Sequence, residues 1–183
     1  MVIPKEVKNV IDKLKEAGLE AFIVGGCIRD FLRGVEPEDW DVTTNAKPEE
    51  IQKIFPNSFY ENNFLTVTAR TDSKNLKLQE IEITTYRLDA KYSDKRHPDE
   101  VRFAKTIEED LARRDFTINA IAVSIKGAKK EIVDPFLGQK DLKSKIVKTV
   151  GNPEERFSED ALRMLRAVRF STTLGFKIEE NTA

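Results

Sequence analysis

The sequence predicts an α+β fold, in which helices flank a mixed β-sheet and the start of an all-helical region follows. Up to about residue 150, short runs typical of strands are interleaved with amphipathic helical patterns. From Asn152 onward the pattern is helical throughout. We therefore expect two domains, residues 1–150 and residues 151–183, and the ending GFKIEENTA suggests that the second is truncated.

The first predicted elements surround a glycine turn. A stripe of four apolar residues predicts a helix over residues 4–17. A short apolar run predicts a strand over residues 21–24. Gly25 and Gly26 then turn the chain into a short helix over residues 27–33. This segment is thus a strand, a glycine turn and a helix in close succession.

The middle of the chain alternates between strands and turns. Strands are predicted at residues 40–43, 64–70 and 78–87. A helix over residues 47–55 has Pro48 in its first turn, where proline is tolerated. Residues 88–100, LDAKYSDKRHPDE, hold almost no apolar side chain and predict a mobile, exposed loop.

The last part of the first domain predicts further short elements. These are a helix at 107–114, a strand-like run at 118–125, a strand at 131–133, a helical turn at 141–145 and a strand at 146–150. Beyond Asn152 we expect one helix, with Ser158 as its cap, that runs through Leu174 to Gly175.

The composition limits the kinds of chemistry available. A charged share of 34% and the lack of any apolar run near the ~20 residues that span a bilayer predict a soluble, cytoplasmic protein with no membrane contact. Cys27 is the only cysteine and His97 the only histidine, so carboxylates and arginines must carry most of any catalysis. The net charge of −1 counts against a self-sufficient nucleic-acid-binding domain.

Asp39, Trp40 and Asp41 lie at the start of a predicted strand. Alternate strand residues face opposite sides, so the two carboxylates would project together while Trp40 enters the core. Like charges held close raise each other's pKa, and a divalent cation relieves the repulsion. Mg²⁺ usually takes one or two protein carboxylates together with phosphate oxygens. The two acids are therefore candidate Mg²⁺ ligands, although the same pattern also fits a solvated turn.

A phosphate site is indicated directly upstream. Gly25 and Gly26 lie between a strand and a helix, where bare amides and a helix N-terminus can hold phosphate. Arg29 lies one turn into that helix, within reach of a phosphate oxygen. The glycines alone also fit a plain tight turn. Together with the acids they favour a nucleoside triphosphate site.

The strand at 78–87 offers a third acid. Glu80 and Glu82 lie on one face of this strand, and Ile81 and Ile83 lie on the other. A third carboxylate could activate a hydroxyl or complete a metal shell. We favour Glu82 for this role, although an ordinary half-exposed strand gives the same alternation.

Five motifs occur in a fixed order between residue 22 and about residue 176. They are IVGGCIRDFLRG with DWDVTT, then EITTYR, RRDFTINAIAV, DPFLGQKDL and EDALRMLRAVRFS. The series resembles the head and early neck of class II tRNA nucleotidyltransferases, the CCA-adding enzymes, and is similar to bacterial poly(A) polymerases. The resemblance implies a polymerase-β-like nucleotidyltransferase head, Mg²⁺ as cofactor, and CTP, ATP and the tRNA 3′ end as substrates.

The resemblance also implies roles for individual residues. Asp39 and Asp41 would bind Mg²⁺, and Glu82 would be the third carboxylate. The nucleotide would be bound by Gly25, Gly26, Arg29, Arg114, Asp115, Asn119, Asp160, Arg163, Arg166 and Arg169. Without the resemblance, the arginine cluster before Asp115 fits a solvated charged surface.

Asp160 and Arg163 have a physical logic of their own. Three residues apart on a helix, they would share a face. Cytosine and adenine each offer an amino donor beside a ring acceptor, which a carboxylate and a guanidinium match, whereas uracil and guanine reverse that pattern. Such a pair would select C and A, although it also fits an ordinary surface ion pair. Arg166 and Arg169 continue the same face.

The family resemblance leaves the product open. In this family a flexible loop after the third acid is needed to add the final A, and this chain retains Tyr92, Asp94, Arg96 and Pro98 there. We therefore expect A addition, by either a full CCA-adding enzyme or an A-adding specialist, and we expect His97 to be a surface residue. The alternatives are a poly(A) polymerase and a nucleotide-binding head that needs a separate RNA-binding body or partner chain.

Overall fold

The computed structural model describes residues 2–61, 65–90, 100–127 and 129–183, and it confirms the α+β fold. The helices are α1 Lys5–Glu16, α2 Gly26–Leu32, α3 Pro48–Ile54, α4 Ile107–Ala112, α5 Gly138–Ser144, α6 Pro153–Glu159 and α7 Leu162–Leu174. Within these described ranges, no helix is long and apolar enough to cross a membrane.

Most of the strands form one mixed sheet. The strands are β1 Ala21–Val24, β2 Asp41–Thr44, β3 Ser58–Glu61, β4 Thr66–Arg70, β5 Glu80–Thr85, β6 Arg87–Ala90, β7 Glu100–Phe103, β8 Ala122–Lys126, β9 Lys129–Val133, β10 Ile146–Val147 and β11 Lys177–Ile178. In the described part of the chain, seven of them pair in the order β3-β4-β5-β2-β1-β8-β9. The pairing of β2 with β5 is parallel, and the other neighbours in this sheet are antiparallel.

The two faces of the sheet bury different sets of side chains. Neighbouring strand residues point to opposite faces, so Ile23 and Val24 enter different clusters. Ile23 packs in a core that also contains the apolar stripe of α1 and Ile51 of α3. Val24 packs on the other face, with Ile107 and Leu111 of α4. The face that carries α4 is the face on which the candidate site lies.

A third apolar cluster joins the sheet domain to the last helix. Phe116 and Ile118 pack with Ala167 and Phe170 of α7, and the rings of Phe116 and Phe170 meet edge to face at 5.7 Å between centroids. Backbone pairing supports the same junction, because β10 and β11 form a short parallel pair. Residues 151–183 are therefore packed against the domain that precedes them.

Several predicted elements differ from the observed ones. The region predicted as an exposed loop at 88–100 begins and ends in the paired strands β6 and β7, while residues 91–99 lie outside the described residues. Of the strand predicted at 64–70, residue 64 also lies outside them. The strands β3 and β11 were not predicted, because each is short and bounded by polar residues that mask its alternation.

The predicted single helix beyond Asn152 is two helices. Asn152 itself caps α6, since its Oδ1 accepts the amide of Glu154 at 2.9 Å, and Ser158 lies inside this helix. The chain leaves helical geometry at Asp160, where φ is −140° and ψ is 105°, and α7 begins at Leu162. The helical pattern of the sequence continues across this break, so periodicity alone did not locate it.

Candidate active site

Strand register brings the predicted acids together. Asp41 lies opposite Val24 on one side and opposite Glu82 of the parallel strand β5 on the other. Residues directly opposite each other share a face of the sheet, so Asp41 and Glu82 both lie on the α4 face. Asp39 lies just before β2 and is exposed. Between the two acids, Trp40 is only 4% exposed and packs edge to face against Phe31.

The electrostatics of Asp41 reflect this crowding. Burial raises the pKa of Asp41 to about 7, and the charges of Asp39 and Glu82 act in the same direction. The guanidinium of Arg114 opposes them. The negative charges of Asp39 and Glu82 therefore lie close enough to Asp41 to disfavour its ionised form, and a cation placed beside them would relieve this repulsion.

The donor set suits a hard divalent cation. Asp39 and Asp41 offer carboxylate oxygens, the ligands that Mg²⁺ prefers, and phosphate oxygens usually complete its shell. Among the described residues, no group of three or more His, Cys, Asp and Glu side chains is arranged to enclose a metal ion. Cys27 is not a competing ligand, since burial raises the pKa of its thiol to about 12.

The glycine turn lies directly against the acids. Gly25 has φ +82° and ψ −144°, a backbone region that is open essentially to glycine alone. A Cβ on Gly25 would lie 3.2 Å from Arg114 Nη1 and 3.3 Å from Asp41 Oδ2. Gly25 is therefore required both for its backbone conformation and for the space that its missing side chain leaves. Gly26 is the first residue of α2, and the chain here presents backbone amides next to the carboxylates.

Arg114 is held by a buried carboxylate that sequence reasoning missed. Asp110 of α4 is 0% exposed, and its Oδ2 lies 3.4 Å from Arg114 Nη2. Its Oδ1 accepts from Arg113 Nε at 3.0 Å and from the backbone amide of Arg87 at 3.3 Å. The available signal was the spacing, because residues three and four apart on a helix are neighbours.

A hydrogen-bonded chain connects α2 to α7. Arg29 Nη1 donates to Asn119 Oδ1 at 3.0 Å, and Asn119 Nδ2 donates to Asp115 Oδ1 at 3.2 Å. Asp115 Oδ2 in turn accepts from Arg166 Nε at 2.7 Å. Four residues that the sequence placed at the nucleotide are therefore brought together. Arg29 is also paired with Asp30, through Nε at 3.0 Å and Nη2 at 2.7 Å.

One aromatic ring lies beneath three of the predicted arginines. The guanidinium carbons of Arg29, Arg166 and Arg169 lie 5.3, 5.4 and 5.1 Å from the ring centroid of Phe170. Phe170 is buried, so its ring is a fixed surface on which guanidinium groups from α2 and α7 lie. Sequence reasoning treated Phe170 only as part of the helical pattern.

The predicted base-reading residues have other partners in this structure. Asp160 is the C-cap residue of α6, and its Oδ1 accepts the amide of Leu162, the first residue of α7, at 2.9 Å. Arg163 is 6% exposed, and its Nη1 donates to Glu159 Oε2 at 2.8 Å. Its Nη2 donates to the carbonyl of Arg113 at 3.3 Å. Asp160 and Arg163 are adjacent in the fold, through a 3.1 Å backbone hydrogen bond, but each side chain contacts a different group.

The loop residues Tyr92, Asp94, Arg96, His97 and Pro98 lie outside the described residues. The prediction that this loop supports A addition therefore stays a prediction. The strands that lead into and out of the loop, β6 and β7, lie next to α4, because Asp110 accepts the amide of Arg87 at the start of β6.

Comparison with known proteins identifies the family of this site. Residues 21–148 match the family model of the poly(A) polymerase head domain. The chain belongs to this family. The match contains β1, the glycine turn, all three acids and Arg114. It confirms the resemblance that the ordered motifs carried.

Curated relatives of this chain are named CCA-adding enzymes. The chain is 46% identical over 187 residues to the CCA-adding enzyme of Ligilactobacillus salivarius strain UCC118, and the alignment covers 98% of this chain and 44% of the relative. It is also 46% identical over 181 residues to the CCA-adding enzyme of Lactococcus lactis subsp. cremoris strain MG1363, and this alignment covers 97% of the chain and 43% of the relative. The chain spans less than half the length of these relatives.

Solved structures show the same fold. The Bacillus stearothermophilus CCA-adding enzyme in complex with CTP superposes with a TM-score of 0.84 at 38% identity, over 98% of this chain and 42% of that one. A tRNA nucleotidyltransferase complexed with a primer tRNA and an incoming ATP analog gives a TM-score of 0.74 at 35% identity, over 94% and 47% of the two chains. The polymerase-head fold expected from the motifs is therefore confirmed.

Proposed function

We propose that this chain transfers nucleotidyl groups from CTP and ATP to the 3′ end of tRNA and releases pyrophosphate, which is CCA addition. The observation that carries the proposal is the register of Asp41 with Glu82 directly beside Gly25 and Arg114. This register brings two carboxylates next to the backbone of Gly25 and the guanidinium of Arg114, the kinds of group that phosphoryl transfer requires. The CTP and tRNA complexes of the structural relatives support the same choice.

The reaction needs an in-line displacement at the α-phosphorus. The terminal hydroxyl of the tRNA loses its proton, and its oxygen forms a phosphodiester bond to the α-phosphorus. The bond from that phosphorus to the bridging oxygen breaks, and pyrophosphate leaves with the electron pair. Glu82 lies beside Asp41 on the neighbouring strand. It either accepts the hydroxyl proton or helps to hold the cation.

Asp39 and Asp41 would hold Mg²⁺ in this proposal. When bound, the ion lowers the pKa of the attacking hydroxyl and neutralises charge at the α-phosphate. Burial is the main cause of the raised pKa of Asp41, and the charges of Asp39 and Glu82 add to it; a cation bound beside these acids would offset their mutual repulsion.

The triphosphate would be held by the glycine turn and the arginines around it. The missing Cβ of Gly25 leaves its backbone close to both Asp41 Oδ2 and Arg114 Nη1, since a Cβ there would lie 3.3 and 3.2 Å from them. Arg29 lies against the same turn, since its Nη2 is 3.6 Å from the point that a Cβ of Gly26 would occupy. Asp115 and Asn119 would contact the sugar, as the family resemblance implies. Their hydrogen bonds connect them to Arg29, which lies at the glycine turn.

Base choice would be made by Asp160 and Arg163, with Arg166 and Arg169 on the following turns of α7. For this, Asp160 has to give up the amide of Leu162, and Arg163 has to turn one edge of its guanidinium from Glu159 toward the base. In the same proposal, residues 1–150 are the nucleotidyltransferase head and residues 151–183 the start of the neck. The proposed activity implies a cytoplasmic location, because tRNA and the nucleoside triphosphates occur there.

A second candidate is a nucleotide-binding head that needs a separate RNA-binding body. The observation that favours it is the net charge of −1, because a domain that binds nucleic acid by itself usually carries a basic excess. A poly(A) polymerase is the alternative within the family, since the matched family model bears that description. Binding of CTP without incorporation would indicate a nucleotide-binding head. Incorporation of A alone, without a requirement for a tRNA end, would indicate a poly(A) polymerase.

The test is incorporation with each of the four nucleoside triphosphates in turn. Purified chain and Mg²⁺ are mixed with tRNA that lacks its CCA end, and the products are separated by length. We expect incorporation from CTP, then from ATP, and none from UTP or GTP. Asp39→Ala and Asp41→Ala should each lower the rate at least about a hundredfold while leaving the far-UV CD spectrum unchanged. Equal use of all four triphosphates, or a normal rate in either variant, contradicts the proposal.

A further inference from the structure

Asp110 has no solvent exposure and is surrounded by cations. Its two oxygens contact Arg113 at 2.9 and 3.0 Å and Arg114 at 3.4 Å. A buried carboxylate is stable only with such partners. Asp110 is therefore held by guanidinium groups from two neighbouring residues.

Arg114 has an incomplete set of partners. One of its terminal nitrogens contacts Asp110, and the other lies 3.2 Å from the point that a Cβ of Gly25 would occupy. Its Nε is buried, and no acceptor for it is found among the described residues. Buried donors in native proteins are nearly always satisfied, so this N–H awaits an acceptor. The guanidinium thus faces the glycine turn with donor capacity to spare.

Asp110 is fixed from a third direction. The backbone amide of Arg87 donates to Oδ1 at 3.3 Å, and this residue begins the hairpin of β6 and β7. The carboxylate is therefore anchored to a strand as well as to its own helix. An anchored acceptor limits the rotamers that Arg114 can adopt.

We infer that Asp110 is a positioning residue, which holds Arg114 toward Gly25 and Asp41 so that its free donors meet the triphosphate of the incoming nucleotide. This inference rests on the proposed function, because it names the support for a residue of that site. Asp110 contacts no reacting atom and acts only through Arg114. Loss of its charge leaves Arg114 free to turn away from the glycine turn.

The experiment is a double-mutant cycle on nucleotide binding. The dissociation constant for CTP with Mg²⁺ is measured by calorimetry for the wild type, Asp110→Asn, Arg114→Ala and the double variant. Partners that orient a binding residue typically contribute about tenfold, so Asp110→Asn should raise the constant by about that factor. In the double variant, Asp110→Asn should add nothing to the loss from Arg114→Ala.

Two comparisons separate positioning from folding. Binding of CMP, which lacks the β- and γ-phosphates, should change less than twofold in Asp110→Asn, whereas a misfolded site would lose both ligands. Glu108→Gln removes an exposed charge from the same helix, and it should bind CTP as the wild type does. Wild-type CTP affinity in Asp110→Asn, or losses that simply add in the double variant, overturn the inference.

The outcomes are distinguishable from those for the proposed function. If the wild type binds CTP but incorporates nothing, the proposed function fails and the role of Asp110 in binding stands. If the wild type binds no CTP, both fail. If Asp110→Asn is unfolded at the assay temperature, the test is an NMR titration of the wild-type protein with CTP, which follows the ¹⁵N signal of Arg114 Nε–H. That signal should shift when CTP is added, and an unchanged signal overturns the inference.

Discussion

At the scale of single residues, the site depends on a few positions that allow no other side chain. Gly25 is the clearest, since its backbone conformation and its contacts with Asp41 and Arg114 both exclude a Cβ. The sequence indicated the turn but not this double requirement. The reason is physical: the neighbours of Gly25 come from β2 and from the end of α4, which no local pattern connects to it.

Gly25→Ala and Gly18→Ala form a matched pair that tests this point. Both glycines have positive φ, +82° and +80°, so both substitutions should destabilise the fold, by about 1–3 kcal/mol. A Cβ on Gly18 meets nothing within 4 Å, whereas one on Gly25 crowds the site. We therefore expect Gly25→Ala to bind CTP more weakly than the wild type, and Gly18→Ala to bind CTP as the wild type does, when affinity is measured by calorimetry. Equal CTP affinity in the two variants would rule out the close approach described here.

Asp110 gives a prediction about pH. Burial acts to raise its pKa, but Arg113 and Arg114 with their hydrogen bonds hold the pKa below the ordinary value of 3.8. A carboxylate whose pKa is lowered by folding stabilises the native state above its unfolded pKa, and this stabilisation is lost as pH falls. The wild type should therefore unfold at a higher temperature than Asp110→Asn at neutral pH.

Acidification should remove that difference. As pH falls below about 4, the two unfolding midpoints should converge, because the wild-type carboxylate becomes protonated as well. Glu108→Gln, which alters an exposed acid of the same helix, serves as the control and should follow the wild type. A gap that widens on acidification would mean that Asp110 is not stabilised by its arginines.

At the scale of elements, side-chain hydrogen bonds connect α2 and the turn after α4 to α7. Asp115 and Arg166 connect the turn after α4 to α7, in the chain that begins at Arg29. Arg166 is 43% exposed, so solvent weakens this ion pair and its contribution is on the order of 1 kcal/mol. The sequence placed these residues at one site by motif. It did not show that Asp115 and Arg166 connect the segment after α4 to α7.

Asp115→Asn should therefore loosen α7. We expect a loss of about 1 kcal/mol in the free energy of unfolding and faster amide hydrogen exchange in α7 than in β1. Glu180→Gln neutralises an exposed acid beyond β11 and should change neither quantity. Unchanged exchange in α7 would show that its apolar contacts with Phe116 are sufficient without the ion pair.

The break between α6 and α7 was the main element that the sequence did not predict. Apolar and polar residues keep a helical spacing through Asp160 and Ala161, yet the carboxylate of Asp160 competes for a backbone amide and ends one helix. The hydrogen bond that Asp160 accepts from Leu162 should contribute about 0.5–1.5 kcal/mol to stability. Its position at a break also makes its side chain easier to redirect than one inside a helix.

Asp160→Ala tests the proposed role in base choice. We expect a modest loss of stability from the missing hydrogen bond and relaxed selection, with UTP and GTP incorporated at rates closer to those of CTP and ATP. Asp160→Ser, which can still accept the amide of Leu162, should keep the stability and also lose the selection. Unchanged preference for C and A in both variants would leave Asp160 with a structural role only.

At the scale of the whole molecule, the sequence predicted the mixed sheet, its flanking helices and the family. Strands with clear alternation, such as β5, were recognised because one of their faces is buried in full. The contact between α4 and the glycine turn could not be predicted from periodicity, because it depends on the order of strands in the sheet. The same strand order brings Asp41 opposite Glu82, which are 41 residues apart in the sequence.

The central claim is that Asp39 and Asp41 hold a divalent cation beside the triphosphate of a bound nucleotide. Its most direct test is calorimetric titration of CTP in the presence of Mg²⁺ and of EDTA, for the wild type and for Asp41→Asn. We predict that Mg²⁺ strengthens CTP binding to the wild type at least about tenfold and has little effect on the variant. Equal Mg²⁺ dependence in both proteins, or CTP binding by the wild type that ignores Mg²⁺, would contradict the account.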